Sequence, residues 1–319
     1  MLREYWRAWR QKSAAIPDRL KEALGWVGIG HGRTAMYEKL LREYSQGLQS
    51  DQHFFAYYEA TEILDIFNSW KSRATDFPGI QGKISRVFKK GTVLSEDESA
   101  SANSNQPRND AFVYVLAGKL LHVAEAHVVS VDGINNAKIM HGQTQQGSPS
   151  DIFLLFRDNP IRIECKRPMN EATLQENADT AYHQLNDNLA GQPWGVIAID
   201  ASRIVRKPGE YLQVPSLEAG TKFLSNELEK LLVPIAKKLN HEKVLGVIGF
   251  SRIPLIGTVK SRILKLDGTP FVLENLSSAA IAYLCIKNAK SPQGDLMHEL
   301  QRSFSRTTHD VPQDSIPIT

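Results

Sequence analysis

Two short apolar runs, "DIFLLF" at 151–156 and "IRIEC" at 161–165, flank the polar tetrapeptide "RDNP" at 157–160. So brief a connection between runs rich in Ile, Leu and Phe predicts two antiparallel strands joined by a tight turn. The first run is apolar on both faces, which predicts a strand covered on both sides within a sheet. Further apolar runs, "HVVSV" at 127–131 and "GVIAID" at 195–200, predict strands before and after the hairpin. Between the hairpin and the last strand, Asn170 is suited to cap a helix that carries Leu174, Ala178, Leu185 and Leu189 on one face and ends at Gly191. Upstream, Phe112, Val115, Leu116, Leu120 and Val123 form a stripe predicting a helix over 109–124, with Pro107 and Asn109 or Asp110 as start signals. A helix near 216–239 and a strand "KVLGVIGF" at 243–250 follow. This order predicts an α/β fold with a mixed central sheet.

With 319 residues, 42% of them hydrophobic, the chain can build one large domain or two ordinary ones. Its net charge of +3 is modest, so attraction for a polyanion has to be local. Cys165 and Cys285 give neither a disulfide framework nor a zinc spacing, which fits a reducing compartment; Cys165 reads as a small core residue. The start "MLREYWRAWRQK" lacks the apolar region of a signal peptide, and no run is long enough to span a bilayer. These features predict a cytoplasmic protein without a membrane partner.

Residues 1–94 read as a helical N-terminal region: Tyr5, Trp6 and Trp9, then Phe54, Tyr58, Ile63, Phe67 and Trp70, recur at helical spacing. "GWVGIGHGR" has no preceding strand and no Gly-Lys-Ser/Thr ending, so it reads as a helix-to-helix connection rather than a phosphate loop. From Lys71 to Lys90 six cations, Lys89 and Lys90 among them, face one acid, Asp76. Such a cluster either follows a phosphate backbone or is a solvated face. Residues 95–106, "SEDESASANSNQ", have nothing to bury and read as a linker or mobile loop. Residues 291–319 read as a C-terminal tail whose end, "SFSRTTHDVPQDSIPIT", is disordered or loosely held. Lys260, Arg262 and Lys265 line a nucleic-acid groove or a solvated strand face, and His122, His127 and His141 lack the paired spacing of a zinc site.

Side chains alternate along a strand, so Arg162, Glu164 and Lys166 share one face while Ile161, Ile163 and Cys165 share the other. A carboxylate and an ammonium two apart can be a surface ion pair of little worth. Here they end an apolar hairpin whose partner strand opens with Asp151, which brings a second carboxylate close. Two carboxylates suit a hard divalent cation, because Mg²⁺ takes oxygen ligands and is commonly bound through one or two carboxylates plus substrate phosphates. The backbone carbonyl of Cys165 is a natural third ligand. Beside such a cation water is more acidic, and Lys166 is placed to orient it for attack on phosphorus.

"SPSDIFLLFRDNPIRIECKRP" resembles the PD-(D/E)XK nuclease superfamily, with Ser150-Asp151 in place of the Pro-Asp pair and Glu164-Cys165-Lys166 as the E-x-K. The resemblance implies a restriction-endonuclease-like αβββαβ core within a nuclease-like domain at 107–290. It also implies Mg²⁺ held by Asp151 and Glu164, Mn²⁺ substituting, and Lys166 serving the nucleophilic water. Members often add an acid from the first core helix, which falls on Glu125. Many add a polar residue from the helix after the E-x-K; this chain departs from their spacing and offers Gln175, Tyr182 and Gln184. Arg167 is placed to touch a scissile phosphate, and His183 reads as a packing or surface histidine. The implied activity is phosphodiester hydrolysis, on DNA ahead of RNA, in restriction, repair or antiphage defence, beside a partner protein or as a homodimer. The alternative is a non-catalytic nucleic-acid-binding or regulatory protein that keeps the fold.

Overall fold

The computed structural model describes residues 15–46, 48, 50–96, 102–139, 150–188, 193–264 and 270–310. Expectations placed on residues 1–14, 97–101, His141, Leu189, Gly191, Lys265 and 311–319 lie outside them. Five helices come first: α1 (15–26), α2 (Arg33–Ser45), α3 (Asp51–Lys71), α4 (Ile80–Lys89) and α5 (Ala102–Leu120). Then follow β1 (Ala126–Val131), β2 (Ile134–Asn135), β3 (Ile152–Phe156), β4 (Asn159–Lys166), α6 (Glu171–Asn188) and β5 (Trp194–Asp200). The chain continues with α7 (Ser202–Val205), β6 (Leu212–Val214), α8 (Leu217–Lys238), β7 (Val244–Leu264), β8 (Pro270–Lys287) and α9 (Asp295–Asp310).

The glycine-rich stretch joins α1 to α2, as its lack of a preceding strand predicts. Gly32, at φ 100°, caps α2 where an added Cβ would meet the Lys89 backbone, so only glycine lets α2 and α4 approach there. The hairpin at 157–160 is tighter than its tetrapeptide suggests. Phe156 pairs with Asn159, leaving Arg157 (φ 48°) and Asp158 (φ 64°) as a two-residue turn with both φ positive. Asp132 (φ 48°) and Gly133 (φ 75°) turn β1 into β2 in the same way. Asn170 caps α6 as predicted, its Oδ1 accepting from Thr173 N at 3.0 Å.

The eight strands form one mixed sheet in the order β2-β1-β3-β4-β5-β7-β6, with β8 also paired to β7. β1, β3 and β4 are successively antiparallel; β4, β5 and β7 run parallel. Alternation along β5 sends Val196 and Ala198 into one core and Ile197 and Ile199 into another, so the sheet is covered on both faces. The first core also takes in α1 to α5 and α9 residues such as Leu20, Phe55, Trp70, Leu116 and Phe304; the second takes in α6 and α8 through Leu174, Leu185, Leu228 and Leu232.

Three expectations need correction. The helix predicted at 109–124 begins at Ala102, ends at Leu120, and has Pro107 inside it, so the predicted linker ends in helix. The strand expected at 243–250 runs to Leu264. The tail expected from 291 contains α9, because Leu296, Met297, Leu300 and Phe304 recur at helical spacing and are buried against the sheet face that α5 also covers.

Candidate metal and phosphodiester site

The last β3–β4 pair is Ile152 with Ile163, whereas β4 stays paired to β5 through Lys166 and Ile199. Glu164, Cys165 and Lys166 therefore extend past the start of β3, with no strand of the described residues paired to them on that edge. Asp151 closes the gap with its side chain: its Oδ2 accepts from Cys165 N at 2.7 Å. Its backbone carbonyl meanwhile accepts from Asp132 N at 2.8 Å, tying the β1–β2 turn to the same corner.

Asp151 continues the face of Phe153 and Leu155, and Glu164 continues that of Arg162, the cross-strand partner of Phe153. The two carboxylates thus share a face, as the alternation predicts. Lys166 Nζ stands 3.7 Å from Glu164 Oε2. Glu164 is only 4% exposed; burial, and next the negative charge of Asp151, push its carboxyl up to about 7. Burial likewise raises the Asp151 carboxyl, against the opposing effects of the Cys165 N–H and Lys166. Each carboxylate is paired with too little positive charge for its burial.

A divalent cation would relieve that imbalance. In an extended strand one residue's N–H and C=O point to the same edge, so the Cys165 carbonyl faces the side from which Asp151 reaches its N–H. Two carboxylates and a carbonyl are a donor set of hard oxygens, which fits Mg²⁺ or Mn²⁺. Among the described residues no three His, Cys, Asp or Glu side chains converge on one metal position, so any further ligands would be water or substrate oxygens.

A second polar group adjoins the first. Asp132 Oδ2 is 2.9 Å from Lys83 Nζ and accepts from Tyr114 Oη at 2.8 Å. Asp110, on α5 one turn before Tyr114, has its carboxyl raised by burial and by Asp132, and the charges of Asp110 and Asp132 both act on Asp151. Asp132 and Tyr114 were not singled out in the sequence; Asp110 was read only as a helix start signal, and Lys83 only as one of the six cations between Lys71 and Lys90. Asp110 is the carboxylate through which α5 acts on Asp151.

The remaining predicted residues lie elsewhere. Glu125 precedes β1 at the hairpin's closed end: its carbonyl accepts from Arg157 N at 3.0 Å and its carboxylate from Ser303 Oγ at 3.4 Å. The length of β3, about 16 Å at strand rise, separates it from Asp151. Gln175 donates to Asp179 at 2.8 Å and accepts from Lys238 Nζ at 2.7 Å, so it links α6 to α8. Gln184 is exposed about 20 Å along α6 from its start. Tyr182 and His183 line a groove between α6 and α8. Arg167 follows Lys166 but points to the opposite sheet face, its Nε donating to Asp200 Oδ2 at 3.0 Å with both side chains 7% exposed. Lys89 and Lys90 are exposed at the C-terminal end of α4; it is Lys83, two turns earlier, that reaches the site.

No helix among the described residues is long and apolar enough to cross a membrane. No family model, curated protein or solved structure matches the chain.

Proposed function

We propose that the chain is a metal-dependent nuclease that hydrolyses phosphodiester bonds, with DNA ahead of RNA as substrate. The observation that carries this is the convergence of Asp151 and Glu164 on one face where β4 outruns β3, with Lys166 beside Glu164 at 3.7 Å. The sequence α5, β1, β3, β4, α6, β5, with its antiparallel hairpin and parallel β4–β5 pair, supports a restriction-endonuclease-like core.

Asp151, Glu164 and the Cys165 carbonyl would hold Mg²⁺ or Mn²⁺, which when bound supplies Lewis-acid stabilisation of a charged phosphoryl group. Asp151 presents its carboxylate because its other duty, accepting from Cys165 N, fixes the side chain against the strand end. Lys166, 17% exposed along its side chain, reaches solvent from a buried corner and orients the attacking water while balancing charge that develops at phosphorus.

The test is cleavage of end-labelled single- and double-stranded DNA and RNA with Mg²⁺, Mn²⁺ or EDTA. Wild type should cut only with metal, and Lys166→Ala and Asp151→Ala should each cut at least ~10²-fold more slowly. The alternative is a non-catalytic nucleic-acid-binding or regulatory protein that keeps the fold. Binding without cleavage in wild type would establish that alternative.

A further inference from the structure

On the other face of the sheet, beyond the carboxyl ends of β4 and β5 and against the middle of β7, six cationic side chains line one cleft: Arg108, Arg167, Arg203, Arg206, Lys207 and Arg252. Two carboxylates, Glu62 and Asp200, line it with them. Asp200 is committed, accepting from Arg167 Nε at 3.0 Å and from Ser202 N at 2.9 Å. Outside the lining, Glu59 takes Arg108 at 2.7 Å, Asp65 takes Arg252 at 3.3 Å and Glu210 lies 3.8 Å from Arg206. Guanidinium groups can only donate, so the cleft presents mainly donors and positive charge.

Two of those donors are specific. Arg252 is 2% exposed, and its Nε, like the buried Nε of Arg206, has no acceptor among the described residues. A buried N–H left without an acceptor is costly, and an anion with several oxygens in the cleft would supply what is missing. Lys207 stands exposed at the mouth, where it adds charge without needing burial. Lys166 and Arg167 are consecutive, so the cleft lies at the same sheet end as the carboxylate site, on the opposite face and one residue past the end of β4.

We infer that this cleft is a phosphate-binding subsite that grips a nucleic-acid strand beside the cleavage position, an inference that rests on the nuclease proposal. The phosphate belongs either to the strand's interior or to its 5′ end, since both offer anionic non-bridging oxygens, two in the diester and three in the terminal monoester. Arg206 and Lys207 at the mouth make the reversible contacts; Arg167 and Arg252, held by Asp200 and Asp65, form the fixed floor.

The experiment is fluorescence anisotropy of a short 3′-labelled single strand, 5′-phosphorylated or 5′-hydroxylated, in EDTA across a range of KCl. Arg206→Gln and Lys207→Gln should each bind roughly fivefold to tenfold more weakly than wild type. Each should also flatten the slope of log affinity on log salt by about one. Lys238→Gln, on α8, should leave both unchanged, and matching thermal midpoints verify that the variants fold. A several-fold preference for the 5′-phosphate assigns the cleft to strand ends; equal binding assigns it to an internal phosphodiester. Variants that bind like wild type, or a wild type that binds neither strand, overturn the inference. Because EDTA prevents metal-dependent cutting, a chain that binds through the cleft yet never cleaves keeps the subsite and loses the nuclease. One that cleaves with unchanged KM in Arg206→Gln does the reverse.

Discussion

Glu164 is where the proposed metal-binding role and stability conflict, and Glu164→Gln measures the conflict. In the folded chain its carboxyl rises from 4.5 to about 7, first through burial and then through Asp151. Below pH 4.5 the group is protonated folded or unfolded. Between 4.5 and about 7 the unfolded chain ionises while the folded chain keeps its proton, so stability falls as pH rises through this window and levels off above it. At about 1.4 kcal/mol per tenfold change in proton affinity, the loss is about 3 kcal/mol. The near-isosteric Gln has no charge to desolvate. Removing the partner of Lys166 shifts the variant by a roughly pH-independent amount and leaves the slope as the diagnostic. Thermal unfolding in EDTA from pH 4.5 to 8.5 should therefore show the midpoint of Glu164→Gln gaining on wild type by about 5 °C or more as pH rises. Mg²⁺ at pH 8 should narrow that gap by stabilising wild type alone. Parallel midpoint curves for the two proteins across the whole range would refute the buried, charge-repelled carboxylate.

Phe304, 1% exposed, anchors α9, so Phe304→Ala should cost about 3–5 kcal/mol in urea unfolding, and a loss under about 1 kcal/mol would mean that α9 is not docked. Glu59, 1% exposed, receives Arg108 Nη1 at 2.7 and 2.8 Å and has Arg33 at 3.7 Å. Glu59→Ala strands two buried guanidinium groups and should cost about 3–5 kcal/mol by the same assay, whereas a near-neutral result would show that water reaches them. Gly32→Ala should lose at least about 2 kcal/mol, since it combines a positive φ with a clash against Lys89 backbone; a Tm equal to wild type would contradict that close approach.

The hairpin and the shared face of Glu164 and Lys166 were legible because both rest on local information: a period of two and a turn too short for any other connection. Glu125 was not, because its place depends on pairing. Once β1 runs antiparallel to β3, with Ala126 opposite Phe156, the residue entering β1 must sit at the closed end of the hairpin. The start of α5 was hidden for a different reason. Residues 103–106 are polar, Ala102 is small and Pro107 reads as a boundary, so no large apolar residue marked the first turns, and Asp110 passed for a start signal instead of a mid-helix acid. In β7, Pro254 and Gly257 read as breakers; the strand continues because β8 pairs with it from Gly246 to Leu264. The stripe of α9 was obscured by the Arg, Ser and His residues between its apolar positions.

The helices ahead of residue 95 set the site's geometry as well as adding bulk. Trp70 Nε1, on α3, donates to the Tyr114 carbonyl at 3.0 Å, and a Cβ on Gly118 would lie 2.8 Å from that of Ser69, so α3 and α5 meet at glycine distance. The Glu59–Arg108 pair pins the same two helices one end further along. α5 in turn carries Asp110 and Tyr114 to the corner where Asp132 and Asp151 meet. α3 also donates from Tyr58 Oη to the Arg252 carbonyl at 2.7 Å and lends Tyr58 and Glu62 to the cationic cleft. One helix therefore braces both the carboxylate corner, through α5, and the cleft, through β7. A substitution that loosens α3 should shift the two together, whereas Lys166→Ala or Arg206→Gln alters one and spares the other.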